Sequence, residues 1–187
     1  MSVMTAEAPS FLPYGRELTR ADLELMPDDG HRYELIDGAL IVPPSPRFRH
    51  QDAVANLHLA LHGAAIEGLK VLFAPFDVAL SENTVIQPDL LVAPSDAFTD
   101  RDLPTAPLLA VEVLSPSTRG VDLLLKKERL QRAGCPHYWV VDPDEPSIVA
   151  WSLDEGVYRE VARASGSEPF EVADPFPVRL TPASLID

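Results

Sequence analysis

Two short apolar runs each carry a single carboxylate. They are Pro88-Asp89-Leu90-Leu91-Val92 and Leu109-Ala110-Val111-Glu112-Val113-Leu114. Runs of this length read as buried strands. An ionised carboxylate inside one is costly unless something pairs it. Glu34, within His31-Arg32-Tyr33-Glu34-Leu35-Ile36, stands in a similar setting. Acids converging in a core call for a shared cation, and an oxygen-only set points to Mg²⁺ or Mn²⁺. Metal-dependent phosphodiester hydrolysis uses such a set, with a further cation near the developing charge. Asp89 and Glu112 are the natural metal ligands. Glu34 would bind metal directly or through water. Lys126 or Lys127, on the helix expected after the Glu112 run, would supply the cation or position the water.

Other reactive side chains have plainer readings. His50 fits a helix start or a core position better than a general base. His58 and His62 have the i, i+4 spacing that can hold a metal, but no third nitrogen or sulfur ligand follows. Asp122 would cap its helix or pair with Lys126 four residues on. Cys135, between Gly134 and Pro136, has no adjacent base to activate it. Neither a glycine-rich phosphate loop nor a serine nucleophile elbow is present.

The elements that must position these residues are short and sharply punctuated, as 19 prolines in 187 residues imply. Residues 1–17 read as a flexible arm and 18–187 as one domain. Leu18 to Leu25 reads as a short helix, with Thr19 as N-cap and Asp22 three residues on. Asp37-Gly38 joins two strands in a hairpin. Arg47 to Glu67 reads as a helix with Val54, Leu57, Leu61 and Ala65 on one stripe. Short strands follow over Val71–Phe73 and Asp77–Leu80, then a longer one from Val85 to Val92 with Pro88 at a bulge or edge. Residues 93–107 read as a loop. The strand Leu108–Leu114, a turn at Ser115-Pro116-Ser117-Thr118, a helix from Val121 to Ala133 and the strand His137–Val141 predict a right-handed parallel crossover. A hairpin follows around Asp154-Glu155-Gly156, and a proline-rich tail covers the surface. The order predicts an α/β or α+β fold, a mixed sheet with helices against it.

Composition sets further bounds. Apolar residues make up 46% and charged residues 24%, ordinary for a globular protein. One cysteine excludes an internal disulfide and fits a reducing, cytoplasmic setting. No basic segment leads into an apolar one at the N-terminus, and no apolar run approaches membrane-spanning length. The net charge of −14 gives no support to DNA binding through a broadly basic surface.

One ordered series stands out: Tyr33-Glu34-Leu35-Ile36-Asp37-Gly38, His50, Gln87-Pro88-Asp89-Leu90, Glu112-Val113-Leu114-Ser115-Pro116-Ser117, Asp122 to Lys126, Gly134, and His137 to Pro143. It resembles the PD-(D/E)xK nuclease superfamily, and within it the restriction endonuclease domain family called Uma-two. The resemblance spans about residues 17–185. It implies a restriction-endonuclease-like mixed central sheet flanked by helices, with extra N-terminal and C-terminal hairpins. It also implies Mg²⁺-dependent cleavage of DNA, commonly by a homodimer, with Glu34, Asp89, Glu112 and Lys126 catalytic and Asp89 and Glu112 on the metal. The superfamily lysine two residues after the glutamate is Leu114 here, and the resemblance moves its role to Lys126, eight residues before Gly134. The tyrosine often found four residues after that lysine is Leu130. A different class of function, a nuclease-fold module that binds nucleic acid or protein without turnover, fits the acidic charge. For the enzyme, Arg47, Arg49, Arg119, Lys126, Lys127 and Arg129 could form a local positive stripe, and Ile148-Val149-Ala150-Trp151 an edge for a second copy.

Overall fold

In the computed structural model, which describes residues 15–116 and 119–186, the strands fall into two main sheets and a small ribbon. Most of the N-terminal arm, and Ser117-Thr118 of the expected turn, lie outside the described residues. The first helix is a single turn, α1 (Arg20–Leu23), shorter than predicted. The Thr19 N–H donates to Asp22 Oδ2 at 2.8 Å, so the expected capping partner is in place. β1 (Glu34–Ile36) and β2 (Ala39–Ile41) then pair around Asp37-Gly38. Both turn residues have positive φ, 51° and 75°, as a type I′ hairpin requires. A Cβ at Gly38 would meet the Glu17 Cβ at 2.4 Å, so only glycine fits there.

α2 (Phe48–Ala64) buries His50, Ala53, Val54, Leu57 and Leu61, the stripe its periodicity predicts. Ala65 has extended backbone and lies just past the helix end. β3 (Leu69–Phe73), β4 (Asp77–Ser81), β5 (Thr84–Ile86) and β6 (Leu90–Pro94) follow. The expected strand from Val85 to Val92 is thus two strands, and they belong to different sheets. Pro88 has no N–H for a ladder, and the chain crosses from one sheet to the other at Gln87–Asp89. The expected loop 93–107 contains a short strand, β7 (Asp102–Leu103), parallel to β4.

β8 (Leu109–Val113) is buried at all five positions. Its alternate residues face opposite layers. Leu109, Val111 and Val113 pack in the core with Leu57 and Leu61 of α2. Ala110 and Leu114 pack on the other side with Leu130, so Glu112 shares that second face. A π-helical segment, Val121–Lys126, runs into α3 (Lys127–Arg132) and leads to β9 (His137–Asp142), parallel to β8 as predicted.

β10 (Ser147–Asp154) and β11 (Val157–Ser165) form the last long hairpin. The larger sheet has the order β11-β10-β9-β8-β6-β3, and the smaller has β2-β1-β5-β4-β7. β10 therefore lies inside the sheet, with Ile148 and Ala150 in the core. The segment Ile148–Trp151 is not an exposed edge. The tail also departs from its expected surface role. β12 (Phe170–Val172) and β13 (Val178–Leu180) pair as a ribbon. Phe170, Phe176, Val178 and Leu185 enter the main core, with Phe170 edge-on to Trp139 at 5.2 Å. Among the described residues, no helix is long and apolar enough to cross a membrane.

Candidate functional site

Glu34, Asp89, Glu112 and Lys126, the residues expected to be catalytic, meet at the seam between the two sheets. Glu112 comes from the middle of β8, on the face turned to the π-helical segment. Asp89 stands where the chain crosses between sheets, just ahead of β6. Its Oδ2 accepts the Val113 N–H at 2.9 Å, which fixes it beside Glu112. Glu34 is the first residue of β1, in the smaller sheet. Its Oε1 accepts the Gln87 N–H at 2.8 Å and a proton of Lys126 Nζ at 2.9 Å. Lys126 ends the π-helical segment, a departure from α-helix that is frequent at functional sites.

A lysine ammonium stands among these acids. Lys126 Nζ lies 2.9 Å from Glu34 Oε1, 3.2 Å from Glu112 Oε1 and 3.8 Å from Asp122 Oδ1. Only 4% of Lys126 is exposed. Burial works to lower its pKa, but Glu112, Glu34, Asp122 and Asp89 outweigh that and raise it. Glu112 moves the other way from an ordinary carboxylate. Burial pushes it well up, Lys126 draws it down, and Asp122, Asp89 and Glu34 push it up again. For Asp89, burial also pushes upward, but His50, Lys126 and the Val113 N–H together hold it below its usual value.

Two neighbours of Asp89 were not assigned to the site from sequence. His50 Nε2 lies 3.2 Å from Asp89 Oδ2, and Arg32 Nη1 lies 3.6 Å from Oδ1. His50 belongs to the ordered series, and that was its one signal. Arg32 had none, because its place depends on how the two sheets meet. Asp122 is buried and pairs with Lys126, the second of its two expected roles.

The remaining candidates separate from the site. Lys127 Nζ sits 3.6 Å over the Trp151 ring. Arg119 and Arg129 are held by Asp142 and Asp37, and Lys126 is buried, so the six basic residues do not form one stripe. His58 stacks on His62, with centroids 5.7 Å apart, and meets the Phe73 ring edge-on. Burial raises the Cys135 thiol to about 11, which leaves it unreactive.

A cleft of about 200 Å³ opens above the acids, walled by the proline segment 43–46 and floored by Glu34, Asp89, Glu112 and Lys126. A second, of about 150 Å³, meets it at Arg32, His50 and Asp89. Among the described residues, no three His, Cys, Asp or Glu side chains are grouped at metal-binding spacing. Mg²⁺ needs fewer, since one or two carboxylates suffice when water and substrate phosphate complete the shell. The donor chemistry fits: the set is all oxygen, its negative charge exceeds that of Lys126, and Glu34 Oε2 is buried without a hydrogen-bond partner. Asp89 and Glu112 would hold the ion.

Comparison with known proteins agrees with this architecture. A family model described as "Putative restriction endonuclease" matches residues 20–184. The structure also resembles that of "a putative nuclease belonging to DUF820 from Anabaena variabilis ATCC 29413", with a TM-score of 0.69. The two share 16% sequence identity over 90% of this chain and 97% of that one, a likeness of fold. No curated protein matches the sequence.

Proposed function

The chain belongs to the Uma2 family, whose description is "Putative restriction endonuclease", and from that premise we propose a Mg²⁺- or Mn²⁺-dependent endonuclease that hydrolyses DNA phosphodiester bonds. The observation that carries this reading is Lys126 Nζ, held 2.9 Å from Glu34 and 3.2 Å from Glu112 on the floor of an open cleft that reaches Asp89. Asp89 and Glu112 would hold the ion. When bound, the ion polarises the phosphate and lowers the pKa of an attacking water. Lys126 stands beside the phosphate oxygens and offsets the charge that builds on them in the transition state. Glu34 and the Gln87 N–H fix Lys126 in that orientation. The His50 imidazole and the Val113 N–H fix Asp89. In this reading residues 18–187 act as one cytoplasmic domain, and a two-fold pair of chains would serve to cut both strands.

Plasmid and oligonucleotide DNA incubated with Mg²⁺ or Mn²⁺ test the activity. Wild type is expected to nick them, and Asp89→Asn and Glu112→Gln are expected to lose both nicking and calorimetric Mn²⁺ binding. Equal Mn²⁺ affinity in wild type and Glu112→Gln would overturn the metal assignment. The net charge of −14 favours a second reading, a nuclease-fold module that binds without turnover. Intact Mn²⁺ binding with no cleavage of any DNA would decide for it.

A further inference from the structure

The geometry points to an unpaired DNA strand as the substrate, gripped by the first turn of α2; this rests on the nuclease reading above. That turn and its cap read Arg47-Phe48-Arg49-His50. Arg119 and Arg129 are neutralised by Asp142 and Asp37. Arg47 and Arg49 are exposed and pair with no carboxylate among the described residues. Between them the Phe48 ring is 74% exposed.

The start of α2 itself favours an anion. α2 has no side-chain cap among the described residues, so its first N–H groups are left without a side-chain acceptor at the positive end of the helix dipole. A cleft of about 230 Å³ lined by Phe48 and Arg49 meets the acid cleft at Arg47, His50, Ser115 and Pro116. A strand with one phosphate over Glu112 and Lys126 can run on through this adjoining cleft past Phe48.

Pairing state follows from what Phe48 can touch. A duplex keeps its base faces stacked inside and shows a protein only edges and phosphates. A single strand offers a base face to an exposed ring, the usual way such strands are held. Two unpaired arginines are few for a duplex, whose binding draws on many phosphate contacts. Asp144, on the lining of the same cleft, would also repel a second row of phosphates.

Fluorescence anisotropy with labelled oligodeoxythymidine and a duplex of equal length tests this, with Ca²⁺ replacing Mg²⁺ to hold off cleavage. The single strand is expected to bind about tenfold tighter or more. Phe48→Ala should weaken single-strand binding about five- to a hundredfold with little change in salt dependence. Arg47→Ala with Arg49→Ala should instead flatten the log–log salt slope by about 1.4. Phe48 is mostly exposed, so its truncation leaves the fold intact. Equal affinity for the two DNAs, an unchanged Phe48→Ala, or no binding at all would overturn the inference. Phe48-dependent binding without cleavage in Mg²⁺ or Mn²⁺ would keep it and reject the enzyme. Cleavage of duplex by a fully active Phe48→Ala would do the reverse.

Discussion

At the scale of single residues, Lys126 carries more than any other side chain. One buried ammonium stands among Glu34, Glu112 and Asp122, and Asp89 adds its charge from beside them. Removing one partner from a buried ionic set leaves the others uncompensated, typically at a cost of about 3–5 kcal/mol. Lys126→Met should lose stability on that order in urea melts at neutral pH. Lys127→Ala gives up a contact with the Trp151 ring, worth about 0.5–1 kcal/mol, and a charge interaction with the exposed Glu160. Cleavage should divide the same way. Under conditions where both variants are folded, Lys126→Met should be slower by about 10²–10³ and Lys127→Ala close to wild type. A dead Lys127→Ala beside an active Lys126→Met would reverse the assignment. Helical spacing alone did not separate these adjacent lysines, since both border the same apolar stripe. The resemblance and the Asp122 pairing favoured Lys126, and the structure turns the two side chains toward different neighbours.

At the scale of elements, the site depends on the crossover from β8 to β9. Asp142, the last residue of β9, ties its two ends together. It accepts Arg119 Nη1 at 2.7 Å, and its Oδ1 accepts the Asp144 and Glu145 N–H groups at 3.1 Å each. Burial works to raise the Asp142 carboxyl, but the Arg119 hydrogen bond and the two N–H groups hold it below its ordinary value. A carboxyl with a depressed folded pKa adds stability above its unfolded pKa of about 3.9 and loses it as pH falls through the folded value. Asp142→Asn should therefore be less stable than wild type by about 1–2 kcal/mol near neutrality. The gap should narrow as urea melts are taken from neutrality down through about pH 4 and below. A gap that stays constant over that range would mean that shape, not charge, makes the tie. Elements set by local pattern were legible in the sequence. The continuous apolar run of β8 placed Glu112 in the interior, Asp37-Gly38 marked its hairpin, and a strand–helix–strand order gave the parallel pair. What was not legible rests on contacts distant in sequence. Pro88 announced an irregularity but not a change of sheet. The tail showed its prolines more plainly than Phe170 and Phe176, which fill the space beside Trp139 and the main core. Arg32 and His50 reach Asp89 only because α2 and the smaller sheet close over the crossing.

At the scale of the whole molecule, a net charge of −14 opposes both folding and the approach of DNA, and salt acts on the two with opposite signs. The excess carboxylates repel one another in the folded chain, a self-repulsion that the denatured chain relieves by expanding. Salt screens this over about 10 Å at 0.1 M. Raising NaCl from about 0.02 M to about 0.3 M should lift the thermal midpoint by roughly 2–4 °C, the shift that about 1 kcal/mol produces in a chain of this size. Ion pairs such as Arg119 with Asp142 and Arg20 with Asp102 are weakened by the same salt. Their share is smaller if the net charge dominates, and a midpoint that falls with salt would show that it does not. Single-stranded DNA should respond in the opposite sense, because its phosphates must displace counterions to reach Arg47 and Arg49. Two such contacts predict a log–log slope near −1.4, shallow for a nucleic-acid binder. A slope several times steeper would require cations beyond these two, and the acidic surface would then be less of an obstacle than its charge implies. A shallow slope together with a rising midpoint would mean that the chain grips its strand mainly by stacking on Phe48, an interaction that salt leaves nearly untouched.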